Sequence, residues 1–127
     1  MSDEGQISVF LCDDSSSLRR LIRLQLEDDP RLSVVGEASE PVGCTDGVTD
    51  VAPDVVLIDH GVIAGRDPHG FLAGLRAVAP GAQLVLFSGL PRDLLEHDAE
   101  AWGADSFIHK DTSGAELARA LKQLAGA

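Results

Sequence analysis

The chain has 127 residues, of which 44% are hydrophobic and 24% charged, a composition typical of one globular domain and unlike that of a disordered chain. Its formal net charge of −11 argues against a nucleic-acid-binding surface, which requires a basic stripe. No apolar run reaches the roughly 18 residues of a membrane-spanning helix, and polar residues follow Met1. We therefore expect neither a membrane span nor a signal peptide, and a cytoplasmic location.

Five short segments rich in aliphatic, β-branched or aromatic residues predict strands. The first, third and fourth are almost entirely apolar, which is typical of strands buried on both faces of a parallel sheet. In chain order the predicted strands are Ile7–Cys12, Leu32–Ala38, Val55–Ile58, Leu84–Phe87 and Ser106–His109.

Helices are predicted between these strands, from apolar residues that recur at spacings of three and four. They cover Ser15–Asp29, about Glu40–Ala52, Gly70–Ala79, Pro91–Gly103 and a last segment that opens with the capping box Ser113–Glu116. The alternation predicts an α/β fold, namely a three-layer α/β/α sandwich with a five-stranded parallel sheet. Right-handed crossovers favour the flavodoxin-like strand order 2-1-3-4-5.

The cysteines and histidines do not indicate a metal or disulfide framework. Cys12 and Cys44 lie in unlike segments, so two separate thiols are expected rather than a disulfide. The four histidines show no spacing typical of zinc ligands, and surface or loop positions are expected for them.

Polar side chains follow four of the predicted strands. Since parallel strands present their carboxyl ends at one edge of the sheet, where ligands bind, these side chains should form one pocket. Three carboxylates in one pocket repel each other and need compensating cations, which a lysine and a divalent ion can supply. Oxygen ligands suit Mg²⁺, which readily bridges to a phosphate, so the pocket is predicted to receive a phosphoryl group. The residues concerned are Asp13, Asp14, Asp59, Ser88 and Lys110.

Four segments, "LCDD", "VVLID", "LFSG" and "FIHK", occur in this order, each at the end of a predicted strand. Together they resemble the receiver (REC) domain of bacterial two-component response regulators, and the resemblance covers essentially the whole chain. The segment "DDPRLSVVGEA" is further similar to receivers that precede helix-turn-helix DNA-binding output domains. The resemblance implies a phosphoacceptor signalling domain, with residues 1–127 forming a single receiver domain and no output domain.

The resemblance also implies a role for each residue of the pocket. Asp59 would accept a phosphoryl group from the phosphohistidine of a sensor histidine kinase or a histidine phosphotransfer protein, forming an acyl phosphate. Lys110 would pair with Asp59 or with the bound phosphoryl group. Mg²⁺, or Mn²⁺ in its place, would be held by Asp13, Asp14, Asp59 and the backbone carbonyl of Gly61.

Conformational switching is the implied outcome of phosphorylation. Ser88 would reach a phosphoryl oxygen, and Phe107 occupies the switch-aromatic position. The change would control a partner or an output domain in transcription regulation, and the face formed by the fourth helix, fifth strand and fifth helix is where a homodimer is expected. The domain would promote only its own phosphorylation and dephosphorylation, so it is not expected to be an enzyme, nor to contact nucleic acid or a membrane itself.

Three departures from the family pattern concern loops. Val62 and Ile63 stand where most receivers have a Met-Pro pair, and the following glycine, taken as Gly70, comes a few residues later than usual. Asp111 follows Lys110 in place of the usual proline. We therefore expect a long loop from His60 to Gly70 with an unusual switch geometry.

Three alternative functions remain open at this point. The principal one is a pseudo-receiver, an interaction module that signals without phosphorylation. A flavin-binding, flavodoxin-like electron carrier would share the fold, although Asp13 and Asp14 would repel a phosphate bound at Ser15–Ser17. A phosphatase similar to haloacid dehalogenases would need a second acid where this chain has Gly61.

Overall fold

A computed structural model describes residues 6–63 and 65–126, which form a five-stranded parallel sheet surrounded by helices. The strand order is β2-β1-β3-β4-β5, which confirms the predicted α/β sandwich. None of the helices in these two ranges has the length and apolar character needed to cross a membrane. The elements are β1 (Ile7–Cys12), α1 (Ser16–Glu27), β2 (Leu32–Ala38), α2 (Pro41–Val51), β3 (Val55–Asp59), α3 (His60–Ile63), α4 (Pro68–Val78), β4 (Gln83–Ser88), α5 (Arg92–Trp102), β5 (Ser106–His109) and α6 (Gly114–Gly126).

Two apolar layers hold the helices against the sheet. One layer joins the sheet to α2, α3, α4 and α5, and the other joins it to α1 and α6. Every residue of the central strand β3 is buried, since it has a strand on each side and a helical layer on each face. This arrangement leaves the two ends of the sheet as the places where polar groups can reach the interior.

The strands agree closely with prediction, and the differences concern the polar ends. β3 includes Asp59 and β4 includes Ser88, whereas the prediction ended both strands one residue earlier. Asp59 pairs with Phe87 in the parallel register between β3 and β4, so its backbone belongs to the sheet. The carboxylate and the hydroxyl are therefore attached to rigid strand backbone.

The prediction of one long loop from His60 to Gly70 was wrong, because residues 60–63 and 68–70 are helical and only residues 65–67 of the described part form a loop. Ala64 lies outside the described residues. α3 follows β3 directly, and its Val62 and Ile63 side chains are buried in the core, at 3% and 1% exposure. α4 begins at Pro68 instead of Gly70, because Asp67 accepts a hydrogen bond from the Gly70 backbone N–H at 3.0 Å and caps the helix.

Both cysteines are free thiols and both are buried, as expected. They are not unrelated, however, because Cys12 at the end of β1 contacts Cys44 of α2 inside one core layer. Burial, together with the neighbouring Cys44 thiol, raises the pKa of the Cys12 thiol well above its ordinary value. Both groups therefore act as small apolar core residues.

Candidate functional site

The carboxyl end of the sheet holds all the buried polar side chains that occur among the described residues. They are Asp13, Asp59 and Ser88, exposed by 3%, 5% and 3% respectively. Asp13 directly follows β1, and Asp59 and Ser88 end the neighbouring strands β3 and β4. Because burying polar groups is unfavourable, their concentration at one end indicates a functional pocket.

Three carboxylates form the acidic part of this pocket. Asp13, Asp14 and Asp59 each offer an oxygen, and these oxygens lie within 4.8 Å of one another. Asp14 is exposed to solvent while the other two are buried. The sequence prediction that these three acids meet is thus matched by the geometry.

Asp13 has one carboxylate oxygen that accepts no hydrogen bond. Its Oδ1 accepts a hydrogen bond from the Ser15 backbone N–H at 2.9 Å, whereas its buried Oδ2 accepts none. Burial raises the pKa of the Asp13 carboxyl, and the negative charges of Asp59 and Asp14 raise it further. An orphaned buried oxygen beside two other carboxylates is the donor set that a hard divalent cation requires, so these residues fit Mg²⁺ or Mn²⁺.

Lys110 supplies the positive charge of the pocket. Its ammonium group forms an ion pair with Asp59 Oδ1, lies 4.0 Å from Asp13 Oδ2 and lies 5.8 Å from the centre of the Phe87 ring. Its backbone N–H donates to the Ser88 carbonyl at 2.9 Å, which extends the pairing of β5 with β4 by one residue. The strand pairing therefore aims this side chain at Asp59.

Ser88 and Gly61 line the pocket through specific backbone contacts. The Ser88 hydroxyl oxygen accepts a hydrogen bond from the Leu90 backbone N–H at 3.1 Å. The Gly61 N–H donates to Asp59 Oδ2 at 2.8 Å. A Cβ atom on Gly61 would lie 2.7 Å from that oxygen and 3.0 Å from both carboxylate oxygens of Asp14, so a side chain at this position would collide with the acids.

Arg19 is a supporting residue that the sequence analysis missed. Its Nη1 donates to the backbone carbonyl of Asp13 at 2.6 Å, and its Nε donates to Glu37 at 2.7 Å. Glu37 on β2 also pairs with Arg23, so α1 and β2 together hold the Asp13 backbone. The sequence does show an arginine in the first turns of the helix that follows the acids. Its hydrogen-bond partner, however, could be identified only from the fold.

Phe107 lies in β5 opposite Leu86 of β4, and it is partly buried against the core layer beneath α4 and α5. This position is compatible with the predicted switch role. Asp111, which replaces the usual proline, is exposed, and its carboxylate lies 2.8 Å from His109 Nδ1.

Comparison with known proteins agrees with this geometry. The family model described as response regulator receiver domain matches residues 9–122. The DNA-binding transcriptional activator DevR/DosR of Mycobacterium tuberculosis is 32% identical over 124 residues, covering 93% of this chain and 54% of that protein. The protein-glutamate methylesterase/protein-glutamine glutaminase 5 of Myxococcus xanthus is 31% identical, covering all of this chain and 39% of that protein. The chain thus spans about half or less of the length of these curated relatives.

Among solved structures, the signal receiver domain of the response regulator NarL from Mycobacterium tuberculosis has the same fold. It superposes with a TM-score of 0.84 at 24% identity, covering 96% of this chain and 98% of that one. At this level of identity the likeness supports the fold, and the family match rests on the sequence comparisons.

Proposed function

Because the chain belongs to the response regulator receiver domain family, we propose that it is a phosphoacceptor of a two-component system, with Asp59 receiving the phosphoryl group in a Mg²⁺-dependent reaction. The observation that carries this proposal is the gathering of the buried polar side chains of the described chain at one end of the sheet, with Lys110 paired to Asp59. Residues 1–127 are proposed to act as a single receiver domain.

Asp59 acts as the nucleophile. A carboxylate oxygen attacks the phosphorus of a phosphohistidine on a sensor histidine kinase or a histidine phosphotransfer protein. The new O–P bond forms as the P–N bond breaks, the electron pair of that bond remains on the donor imidazole, and Asp59 becomes an acyl phosphate. The rigid backbone of β3 keeps the carboxylate at the mouth of the pocket throughout this reaction.

Lys110 and Ser88 stabilise the transferred group. The Lys110 ammonium pairs with Asp59 before transfer. After transfer it would pair with the negatively charged phosphoryl oxygens. The Ser88 oxygen already accepts a hydrogen bond from Leu90, so its own O–H proton remains free to donate to a phosphoryl oxygen.

Asp13, Asp14 and Asp59, with the backbone carbonyl of Gly61, are the residues proposed to hold Mg²⁺, or Mn²⁺ in its place. Support comes from Asp13 Oδ2, which is buried and accepts no hydrogen bond, and from the close approach of the three carboxylates. When bound, the ion offsets the repulsion between the carboxylates and the incoming phosphoryl oxygens.

The output of the domain is a change of conformation, which Ser88 and Phe107 would transmit to a partner or an output domain. DevR/DosR is a DNA-binding transcriptional activator, and control of transcription through a separate DNA-binding part is the proposed role. The acidic chain itself would contact no nucleic acid, would act as a phosphoacceptor rather than an enzyme, and would pair with a second copy through α5, β5 and α6.

Intact-mass measurement after incubation with Mg²⁺ and a small acyl phosphate tests this proposal. We expect one phosphoryl adduct on the native protein and none on Asp59→Asn, which retains the size of the side chain but not its nucleophilic charge. The matched control is Asp46→Asn, an exposed acid of α2, which should gain the adduct like the native protein. Absence of the adduct from the native protein with several donors, together with absent Mg²⁺ binding, would refute the proposal and favour the pseudo-receiver.

A further inference from the structure

Helix α3, which begins directly after Asp59, is connected to α5 by a contact that the sequence analysis did not predict. The His60 and Trp102 rings have their centres 5.1 Å apart and are tilted by 38°. His60 Nε2 also lies 3.5 Å from Asp98 Oδ2. We call this group of three residues the α3–α5 contact.

The two α5 residues of this contact form one surface. Asp98 and Trp102 are four positions apart, so they lie on the same side of the helix, one turn from each other. Trp102 also packs against the core layer that contains Val62 and Ile63 of α3. His60 therefore touches a full turn of α5, and the two elements share a continuous apolar base.

The chemistry at Asp59 acts directly on the start of α3. The Gly61 N–H donates to Asp59 Oδ2, and hydrogen bonds to an ionised carboxylate are roughly twice as strong as those to a neutral acceptor. Conversion of the carboxylate into an acyl phosphate removes the charge from this acceptor group. The hydrogen bond that positions the first turn of α3 is therefore weakened by the proposed modification.

α3 is suited to move as one unit in response. A helix of four residues has little stability of its own, so the buried Val62 and Ile63 side chains hold it in place. The His60 side chain is at the surface, at 32% exposure, so its contact with α5 can change without opening the core.

We propose that the α3–α5 contact transmits the state of Asp59 to α5, with His60 as a positioning residue. This inference rests on the proposed phosphoacceptor function and adds a second route to the one assigned to Ser88 and Phe107. Through these two routes, α5, which belongs to the proposed pairing face, would respond to modification of Asp59.

Trp102 provides a direct readout, because the chain contains one tryptophan and no tyrosine. Native protein is incubated with Mg²⁺ and a small acyl phosphate, and Trp102 emission and intact mass are measured on the same sample. We expect an emission change that appears with the adduct, that exceeds any change with Mg²⁺ alone, and that is absent from Asp59→Asn. An adduct without any emission change would overturn the inference.

Variants at position 60 separate transmission from phosphorylation. His60→Leu should form the adduct and lose most of the emission change, while His60→Phe, which retains a ring against Trp102 but not the contact with Asp98, should restore part of it. His97→Leu, at an exposed histidine of α5, is the matched control and should behave as the native protein. An undiminished emission change in His60→Leu would also overturn the inference.

Asp98→Ala is the second variant, for use if His60→Leu does not fold or does not form an adduct. It leaves the residues next to Asp59 unchanged. It should form the adduct with a reduced emission change, and an unaltered change would count against the contact. Failure of the native protein to form any adduct refutes the proposed function itself, and the mass measurement distinguishes that result from a failure of transmission.

Discussion

At the scale of single residues, Asp13 shows how the pocket lowers the stability of the folded state. Its carboxylate is buried, one of its oxygens accepts no hydrogen bond, and two other carboxylates lie nearby. Burial and like charges therefore raise the pKa of Asp13 and make its ionised form unfavourable in the metal-free fold. Arg19 holds the Asp13 backbone in this position through the carbonyl, so the unfavourable geometry is imposed by its surroundings.

We predict that Asp13→Asn stabilises the metal-free protein at pH 7 and raises its Tm by a few degrees. Asparagine keeps an oxygen for the Ser15 N–H while removing the charge. Since the folded-state pKa of Asp13 is raised above its unfolded value, the native carboxylate destabilises the fold at pH values above the folded pKa, and this penalty disappears below the unfolded pKa.

Thermal unfolding in a metal chelator, followed by circular dichroism, checks this prediction. The difference in Tm between Asp13→Asn and the native protein should be largest near neutral pH and vanish at about pH 3. Asp14→Asn, at the exposed acid of the cluster, is the control and should give a smaller increase. A lower Tm for Asp13→Asn at pH 7 would contradict the argument.

At the scale of elements, α1 and α6 illustrate a tertiary contact between distant parts of the chain. Both helices cover the same face of the sheet, and Lys122 of α6 donates to Asp29, just after α1, at 2.5 Å. Leu21 and Leu24 of α1 are 50% and 63% exposed. Fewer apolar residues of this helix therefore pack against the sheet than its sequence spacing suggests. The helix is therefore held by Ile22 and Leu26, with the ion pair at its end.

We predict that Asp29→Asn lowers the Tm slightly at pH 7 and that this loss shrinks as the pH falls below the unfolded pKa of about 4. The Lys122 ammonium, assisted by the Arg31 backbone N–H, lowers the pKa of the Asp29 carboxyl. A lowered folded-state pKa stabilises the fold above the unfolded pKa, and this stabilisation is lost as the pH falls through the folded value. The effect is small because the pair lies at the surface.

A double-mutant cycle measures this pair. Lys122→Gln should lower the Tm at pH 7 by a similar amount, and the double variant with Asp29→Asn should lose no more than either single variant. Strictly additive losses would mean that the two side chains act independently in solution.

At the scale of the whole molecule, 21 acidic residues oppose 10 basic ones, and in the described part of the chain three of the acids meet in the pocket. A ligand that binds only the folded state stabilises it by about 2.7 kcal/mol at a hundredfold excess over its dissociation constant. For a domain of this size, that corresponds to an increase in Tm of about 10 °C. Mg²⁺ bound in the pocket should therefore dominate over general screening of the net charge.

We predict that saturating Mg²⁺ raises the Tm well beyond the increase produced by NaCl at equal ionic strength. Asp13→Asn and Asp59→Asn should lose this specific increase, whereas Asp46→Asn on the surface of α2 should retain it. Scanning calorimetry at matched ionic strength gives the comparison, and equal shifts with both salts would exclude a specific site.

The sequence by itself determined the sheet and the residues at its carboxyl end. Apolar runs such as Val55–Ile58 predict buried strands from local sequence alone. A parallel sheet then brings Asp13, Asp59 and Lys110 to the same edge, independently of the conformation of the loops. α3 escaped prediction because a single turn has almost no propensity signal and exists only where Val62 and Ile63 find a core to enter.

Only the tertiary structure decided which side chains meet across elements. Three contacts join residues from different parts of the fold: Cys12 with Cys44, Arg19 with the Asp13 carbonyl, and the tilted rings of His60 and Trp102. Local patterns record which face of an element is apolar, whereas the partner on that face depends on how the helices pack. The meeting of the pocket acids and Lys110 at one edge could therefore be predicted from the sequence, whereas the contacts between elements could not.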